Sequence, residues 1–353
     1  MKNSLMRIEP KRLREISIEI LNGLNVPGEE AGLVVDCLVR AEMRGIDTHG
    51  VHFLKLLSDR IDARMIQIPT LLKVIREDRS TAVLDGGNGL GQVAAHRAMQ
   101  INIQKARDVG TGITLIRNTN HIGILAFYAL MAAEEGMVGV VMSNSAPSMS
   151  PWGGTEPFLG TNPISIAVPG GNEGPVVLDM SSSVVARGKI RLAQRKREPI
   201  PLGWALDEKG APTTDPDAAM KGTLLPIGGP KGYGLALMID VLSGLLSGSE
   251  YGPRIKTFHQ PLGPTGIGVF SMAIDIERFM PLHQFRDLMT SYVALIKQSK
   301  RAKGVSQIYL PGEIEFEKER KSMAEGIQLN DSVVSDLNRL LEKVKSPLRL
   351  REE

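Results

Sequence analysis

The chain holds one cysteine, Cys37, among 353 residues, so no internal disulfide can form. In G-L-V-V-D-C-L-V-R-A-E-M this thiol reads as a small buried core group rather than a nucleophile. Aromatic residues make up only 4% of the chain. None interleaves with the one dense basic run, V-A-R-G-K-I-R-L-A-Q-R-K-R at 185–197, which carries Arg187, Lys189, Arg191, Arg195, Lys196 and Arg197. Base stacking therefore has no support. The run reads as a solvated helix face, with contact to an anionic cofactor or substrate as the sharper alternative. The net charge of +3 is spread along the chain, whereas nucleic-acid binding leaves a denser local footprint. There is no membrane-length apolar run. The most apolar helical stretch, Tyr233 to Leu246, is interrupted by Asp240 and several glycines. The opening M-K-N-S-L-M-R-I-E-P lacks the apolar segment of a signal peptide, so a cytoplasmic location is expected. H-E-x-x-H, G-x-S-x-G and Walker sequences are also missing.

What is present is an ordinary globular composition, 42% hydrophobic and 23% charged, with length for about two domains or one elaborate one. Residues 9–65 follow a helical period through Leu13, Ile16, Ile20 and Leu21, then Leu33, Cys37, Leu38 and Met43. From residue 70, short β-like runs alternate with helices: L-L-K-V-I, T-A-V-L-D, a helix over Gln92–Val109, G-I-T-L-I-R, a helix over His121–Glu135, V-G-V-V-M-S, P-I-S-I-A-V-P and P-V-V-L-D-M. Residues 198–230 read as loop, Lys231–Leu246 as a glycine-studded helix, and I-G-V-F-S-M-A-I-D as a further strand. From Pro281 the pattern is helical again, broken at L-P-G-E. This predicts an α/β protein of the α+β type. A mixed-sheet body, residues 69–279, would bind cofactor and substrate, inserted between helical ends that form one domain, residues 1–68 plus 280–353.

Two of the six histidines share a setting: His49 in R-G-I-D-T-H-G and His121 in R-N-T-N-H-I-G, each closing a polar turn ahead of a helix-like stretch. An imidazole titrates near neutrality and suits proton transfer, and backbone N–H groups at a helix mouth favour anions. His49 and His52, three apart, raise a metal site, but no third ligand lies nearby and none is expected. G-L-G-Q-V-A, from Gly89 to Ala94, matches the dinucleotide fingerprint. With Arg117 ending the next strand-like run it would suggest NADP, although a glycine-rich turn before a helix is the plainer reading. L-D-M-S-S-S, from Leu178 to Ser183, offers an acid and hydroxyls for a phosphate or ribose, or simply a helix cap. G-G-P-K-G-Y-G places Lys231 at a glycine-rich helix start, a plausible anion cradle.

Taken in order, R-G-I-D-T-H-G, L-D-G-G-N-G-L-G-Q, R-N-T-N-H-I-G, N-S-A-P, L-G-T-N-P-I-S-I-A-V-P, V-L-D-M-S-S-S, G-W-A-L-D-E-K-G-A-P-T-T-D-P, K-G-Y-G-L-A-L-M and L-P-G-E resemble the type-2 malate/lactate dehydrogenase family. That family also includes ureidoglycolate and sulfolactate dehydrogenases, diketogulonate reductase and cyclic-imine reductases. The resemblance implies a non-Rossmann fold, which demotes G-L-G-Q-V-A to a structural turn. It also implies NAD or NADP as cofactor, a small 2-oxo or 2-hydroxy acid as substrate, and a homodimer or larger homo-oligomer. His49 and His121 map to the proton-transfer positions. Cofactor contacts map to Ser145, Asp179, Met180, Ser181, Ser182, Ser183, Lys231, Gly312 and Glu313. Thr48, Ser145 and Arg44 are expected to hold the substrate or a histidine. The family's usual arginine four residues after the first histidine is Phe53 here, so a carboxylate grip is missing unless Arg44, Arg60 or the basic run supplies it. The expected mechanism is hydride transfer at C2, the two imidazoles flanking the nicotinamide. His121 would donate the proton and His49 would orient the carbonyl, or the reverse. A cyclic-imine reductase or a non-catalytic nucleotide-binding relative is the alternative.

Overall fold

The computed structural model describes residues 5–171, 174–260 and 262–350. The chain begins with β1 (Leu5–Ile8), α1 (Pro10–Gly23), α2 (Gly28–Met43) and α3 (Phe53–Asp62). The apolar faces of α1, α2 and α3 meet α11 (below) in one cluster that includes Leu13, Ile16, Ile20, Leu38, Leu54, Leu337 and Leu341. The central sheet follows: β2 (Lys73–Glu77), β3 (Thr81–Asp85), α4 (Gly91–Val109), β4 (Thr111–Thr119), α5 (Ala126–Glu134), β5 (Met137–Ser143), β6 (Ile164–Val168) and β7 (Val176–Met180). Next come the basic helix α6 (Arg187–Lys196), a small sheet of β8 (Ala205–Leu206), β9 (Pro212–Thr213) and β10 (Thr223–Leu224) that encloses α7 (Pro216–Lys221), and α8 (Pro230–Asp240). The chain re-enters the main sheet as β11 (Ile267–Asp275). It ends with α9 (Leu282–Gln298), α10 (Glu313–Glu325), β12 (Ile327–Asn330) and α11 (Asp331–Lys343).

The seven-stranded sheet runs β2-β3-β4-β11-β5-β6-β7. Only β3 and β4 pair in parallel; every other neighbour is antiparallel. One parallel β3–α4–β4 unit in an otherwise antiparallel sheet differs from the mostly parallel doubly wound sheet of a Rossmann domain. Alanine-rich α4 and α5 lie close on one face and fill the second core with Ala94, Ala98, Met99, Ala129 and Ala132 against Ile116, Val141 and Val269. Small side chains let the helices approach the strands closely. β1 pairs antiparallel with β12, tying the two ends of the chain together. Leu282, at the start of α9, lies beside Gly136, and Thr290 lies beside Gly171, so this helix rests on the sheet body. No helix of the described residues is long and apolar enough to cross a membrane.

Candidate active site

α2 ends at Arg44 and the chain turns through Gly45 (φ +69°) into a single 3-10 turn, Asp47–His49, before α3 begins at Phe53. Glu42 fixes this turn. Its Oε1 accepts from the Val51 N–H (2.9 Å), and its carboxyl fills the space that a Cβ on Gly50 would need. Burial pushes the Glu42 carboxyl up to about 7. The second histidine follows β4 in a loop, and α5 begins only at Ala126. The helix expected from His121 is therefore broken at its start, where Gly123 takes φ +76°. Asn120 anchors that loop. Its Nδ2 donates to Asn88 O (3.0 Å), Asn88 Oδ1 (3.0 Å) and Gly89 O (2.9 Å), and its Oδ1 accepts from Thr265 Oγ1 (3.1 Å). A Cβ on Gly91 would overlap the carbonyl oxygens of Asn120 and His121. Gly91 of G-L-G-Q-V-A thus seats the His121 loop, while a Cβ on Gly89 would meet the Thr70 side chain.

These two loops bring the histidines together. The His49 and His121 rings stack with centroids 5.3 Å apart and planes inclined by 26°. Phe53, only 4% exposed, stacks on His121 at 4.5 Å and lies 6.0 Å from His49, so the three rings form a triangle. His52, Phe258 and His259 complete the wall around Phe53. A planar ring between two others needs roughly 7–8 Å. At 5.3 Å the imidazoles leave no room for a ring between them, so reactants must approach their edges. Both histidines keep partial access to solvent although dense protein surrounds them, as the walls of a cleft do. That depth, reinforced by His52 and His259, lowers His49 to about 4. It lowers His121 well below the ordinary imidazole value, with His49, His259 and His52 adding to the effect. His121 Nδ1 accepts from the Gly123 N–H (3.1 Å), so the neutral ring carries its proton on Nε2. His49 Nδ1 shares a hydrogen bond with Thr48 Oγ1 (3.0 Å), a partner able to donate or accept. Among the described residues no group of three or more metal-ligating side chains forms a metal site.

The other expected residues fall into two groups. Asp179, at the end of β7, is open to solvent, and its carboxylate accepts from the Ala126 N–H at the mouth of α5 (2.8 Å). Although its surface is exposed, the protein packed around the carboxyl desolvates it and pushes it up to about 6. Met180 and Ser181 follow at the same edge. Ser145 Oγ lies 3.4 Å from Thr161 Oγ1, and the Ser182 N–H and Oγ both donate to Thr161 O (2.8 Å each). The Ile227 N–H donates to Ser182 O (2.9 Å), which brings Gly228, Gly229 and Lys231 alongside. Gly312 presses on Val177, two residues before Asp179. Ser145, Asp179–Ser183, Lys231 and Gly312 therefore form one continuous strip. Within it Ser182 and Ser183 are buried, and Glu313 is committed to Lys297, Gln307 and the Leu310 N–H. These three side chains build the strip rather than face a ligand. What remains has the chemistry a dinucleotide would need: Lys231 exposed in the first turn of α8 could meet phosphate, and the Ser181 hydroxyl and Asp179 carboxylate could meet ribose, beside a β7 edge with Leu178 exposed.

Two expectations are corrected. Arg44, 1% exposed, ion-pairs Glu319 (2.9 Å) and lies over the Phe316 ring at 4.4 Å. It is not available for a substrate. Arg60 is equally engaged: it donates to Phe258 O, Gln260 O and Gly263 O and lies over the Phe258 ring at 4.7 Å, holding the Phe258–His259 loop in place. Sequence reasoning missed Glu42, Asn120, Phe258 and His259. It noted Asp240 only as a break in an apolar run. That acid accepts from Asn144 Nδ2 (2.9 Å) and the Gly252 N–H (3.0 Å), pinning the N-S-A-P turn that carries Ser145.

The sheet is flanked by helices, and its loops carry two paired histidines and a strip of polar side chains running from Ser145 to Lys231. Residues 8–338 match the malate/L-lactate dehydrogenase family, and the chain belongs to it. It is 41% identical over 347 residues to a malate dehydrogenase of Pyrococcus horikoshii, covering 96% of each chain. It is 38% identical over 335 residues to an L-sulfolactate dehydrogenase of Methanocaldococcus jannaschii, covering 95% of this chain and 96% of the relative. The solved structure of sulfolactate dehydrogenase from that organism superposes with a TM-score of 0.91 at 37% identity, covering 97% of this chain and 98% of the other. Further relatives are named for NAD(+) in one case and NADP(+) in another.

Proposed function

We propose that the protein is an NAD(P)-dependent 2-hydroxy acid dehydrogenase that works in the cleft between His49, His121 and the strip from Ser145 to Lys231. The observation that carries the reading is the stacked pair of neutral imidazoles at 5.3 Å, each held by its own turn, next to that strip. When bound, NADH or NADPH supplies the hydride that reduces C2 of a 2-oxo acid. The chain holds both reactants, excludes water and delivers one proton to the oxygen, giving the hydroxyl. The hydrogen bonds favour a division of labour. A protonated His121 would turn an Nδ1–H against the Gly123 N–H, so His121 serves as a neutral donor that polarises the carbonyl through Nε2–H. His49 can be protonated without losing Thr48, so it gives the proton. Binding an acidic substrate beside it raises its proton affinity.

The test is transfer of label. With NADH or NADPH carrying two deuterons at C4 and a panel of 2-oxo acids, mass spectrometry should show a hydroxy acid with one deuterium at C2. Formation of no hydroxy acid with either cofactor would reject the reading and favour a nucleotide-binding relative without chemistry, and an unlabelled hydroxy acid would reject hydride transfer from the nicotinamide. A homodimer goes with the proposal. α9 leaves Leu288, Tyr292 and Leu295 exposed at helical spacing, and α8 and the turn after it leave Met238 and Leu246 exposed, an apolar area suited to a second subunit. A cytoplasmic setting, alongside the NADH and NADPH it would use, belongs to the same reading.

A further inference from the structure

Position 53 is aromatic and the arginines nearest in sequence are engaged, so the cleft has no evident grip for the negative charge of an acid. The basic run of residues 185–197 is the feature the reading above leaves unused. Its helix, α6, enters the site at its first turn. A Cβ on Gly188 would stand in ordinary contact, 3.6 Å, with Thr48 Cγ2, and Thr48 is the hydrogen-bond partner of His49. Arg191 lies three residues after Gly188 and four after Arg187, on the same side of the helix. Ile190, fully buried among Met149, Leu159 and Ala205, fixes the rotation of the helix. Arg187 is occupied, with Nη2 donating to Met220 O (2.6 Å). Arg191, half-buried, has no hydrogen bond or ion pair among the described residues. Its charge reaches His259, whose imidazole is lowered first by burial and then by Arg191. His259 in turn stands 6.3 Å from Phe53, ring to ring. Arg191 thus stands on the side of α6 whose Gly188 approaches Thr48, and its charge is felt at His259.

We propose that Arg191 binds the anionic group of the substrate, a carboxylate or sulfonate, from α6 rather than from α3. This assigns the specificity-determining cation of the site to the basic helix, and it rests on the dehydrogenase reading. Guanidinium is the cation best matched to such planar or tripodal oxygens, through paired N–H donors.

Oxalate is the probe. Its dissociation constant is measured by calorimetry on the wild-type protein, Arg191→Gln and Arg191→Lys, with and without NADH, after thermal melts show that all three fold alike. Arg191→Gln should weaken oxalate by about ten- to a hundred-fold, with Arg191→Lys between and NADH affinity unchanged. Oxalate affinity within about two-fold of wild type, a loss of NADH affinity instead, or no saturable oxalate binding to the wild-type protein would each overturn the proposal. A protein that binds oxalate through Arg191 yet moves no deuterium from NADH to any 2-oxo acid would instead overturn the dehydrogenase reading.

Discussion

At the residue scale, the site depends on keeping imidazoles neutral in a deep cleft. With His49 at about 4, kcat/KM for oxidation of a hydroxy acid, which needs the neutral base, should stay flat from pH 8 to 6 and fall only as pH drops toward about 4. Reduction, which needs the protonated acid, should decline steadily as pH rises over the same range. An inflection in the oxidative profile near pH 6.5 would contradict this assignment. Phe53 makes a second prediction. Phe53→Arg places a guanidinium beside His121, and if the wild-type substrate is not malate or lactate, turnover of those acids should rise sharply, about ten-fold or more in kcat/KM. Unchanged rates would mean that the α6 side of the cleft already serves them. The histidines were legible in the sequence because each sits in a distinctive polar turn. Phe258 and His259 were not, since they lie some two hundred residues downstream and reach the site only because Arg60 ties their loop to α3.

At the element scale, the turns are held from beneath by groups that carry no chemistry. Gly91→Ala would drive a methyl into the Asn120 and His121 carbonyls. It should cost about 1–3 kcal/mol and lower kcat more than it raises the cofactor KM, as read by denaturant titration and steady-state kinetics. Glu42 gives a pH signature. Its carboxyl is raised from an ordinary 4.5 to about 7 in the folded protein, so it binds its proton more tightly folded than unfolded. The stability it contributes is full below pH 4.5 and is lost as pH rises through 7. Glu42→Gln keeps the acceptor for Val51 and should remove that loss, leaving stability at pH 4 unchanged and raising it at pH 8. A Glu42→Gln protein with the wild-type pH dependence would reject the role. Alternation and periodicity marked most helices and sheet strands. They did not mark where α5 starts, because a positive-φ glycine and an asparagine clamp override the helical pattern of residues 121–125. G-L-G-Q-V-A misleads for a related reason: the same glycines serve either phosphate or close backbone packing, and only the neighbouring loop tells which.

At the scale of the whole molecule, chain ends far apart in sequence close on one another through β1 and β12, and the central sheet presents its β7 edge to the cleft. The exposed apolar side of α9 predicts self-association. Tyr292→Glu with Leu295→Glu should convert a dimer into a monomer by sedimentation or light scattering, and a wild-type protein that is monomeric at micromolar concentration would remove that expectation. The α/β order and the helical ends were readable as pattern. The antiparallel pairing of β11 between β4 and β5 was not, because nothing local to a strand states its partner. The most direct measurement is turnover of a 2-oxo acid by folded His49→Asn and His121→Asn proteins. The paired imidazoles require a loss of about 10²–10⁴-fold from at least the proton donor, His49, while NADH still binds. Near wild-type turnover in both variants would show that the chemistry lies elsewhere.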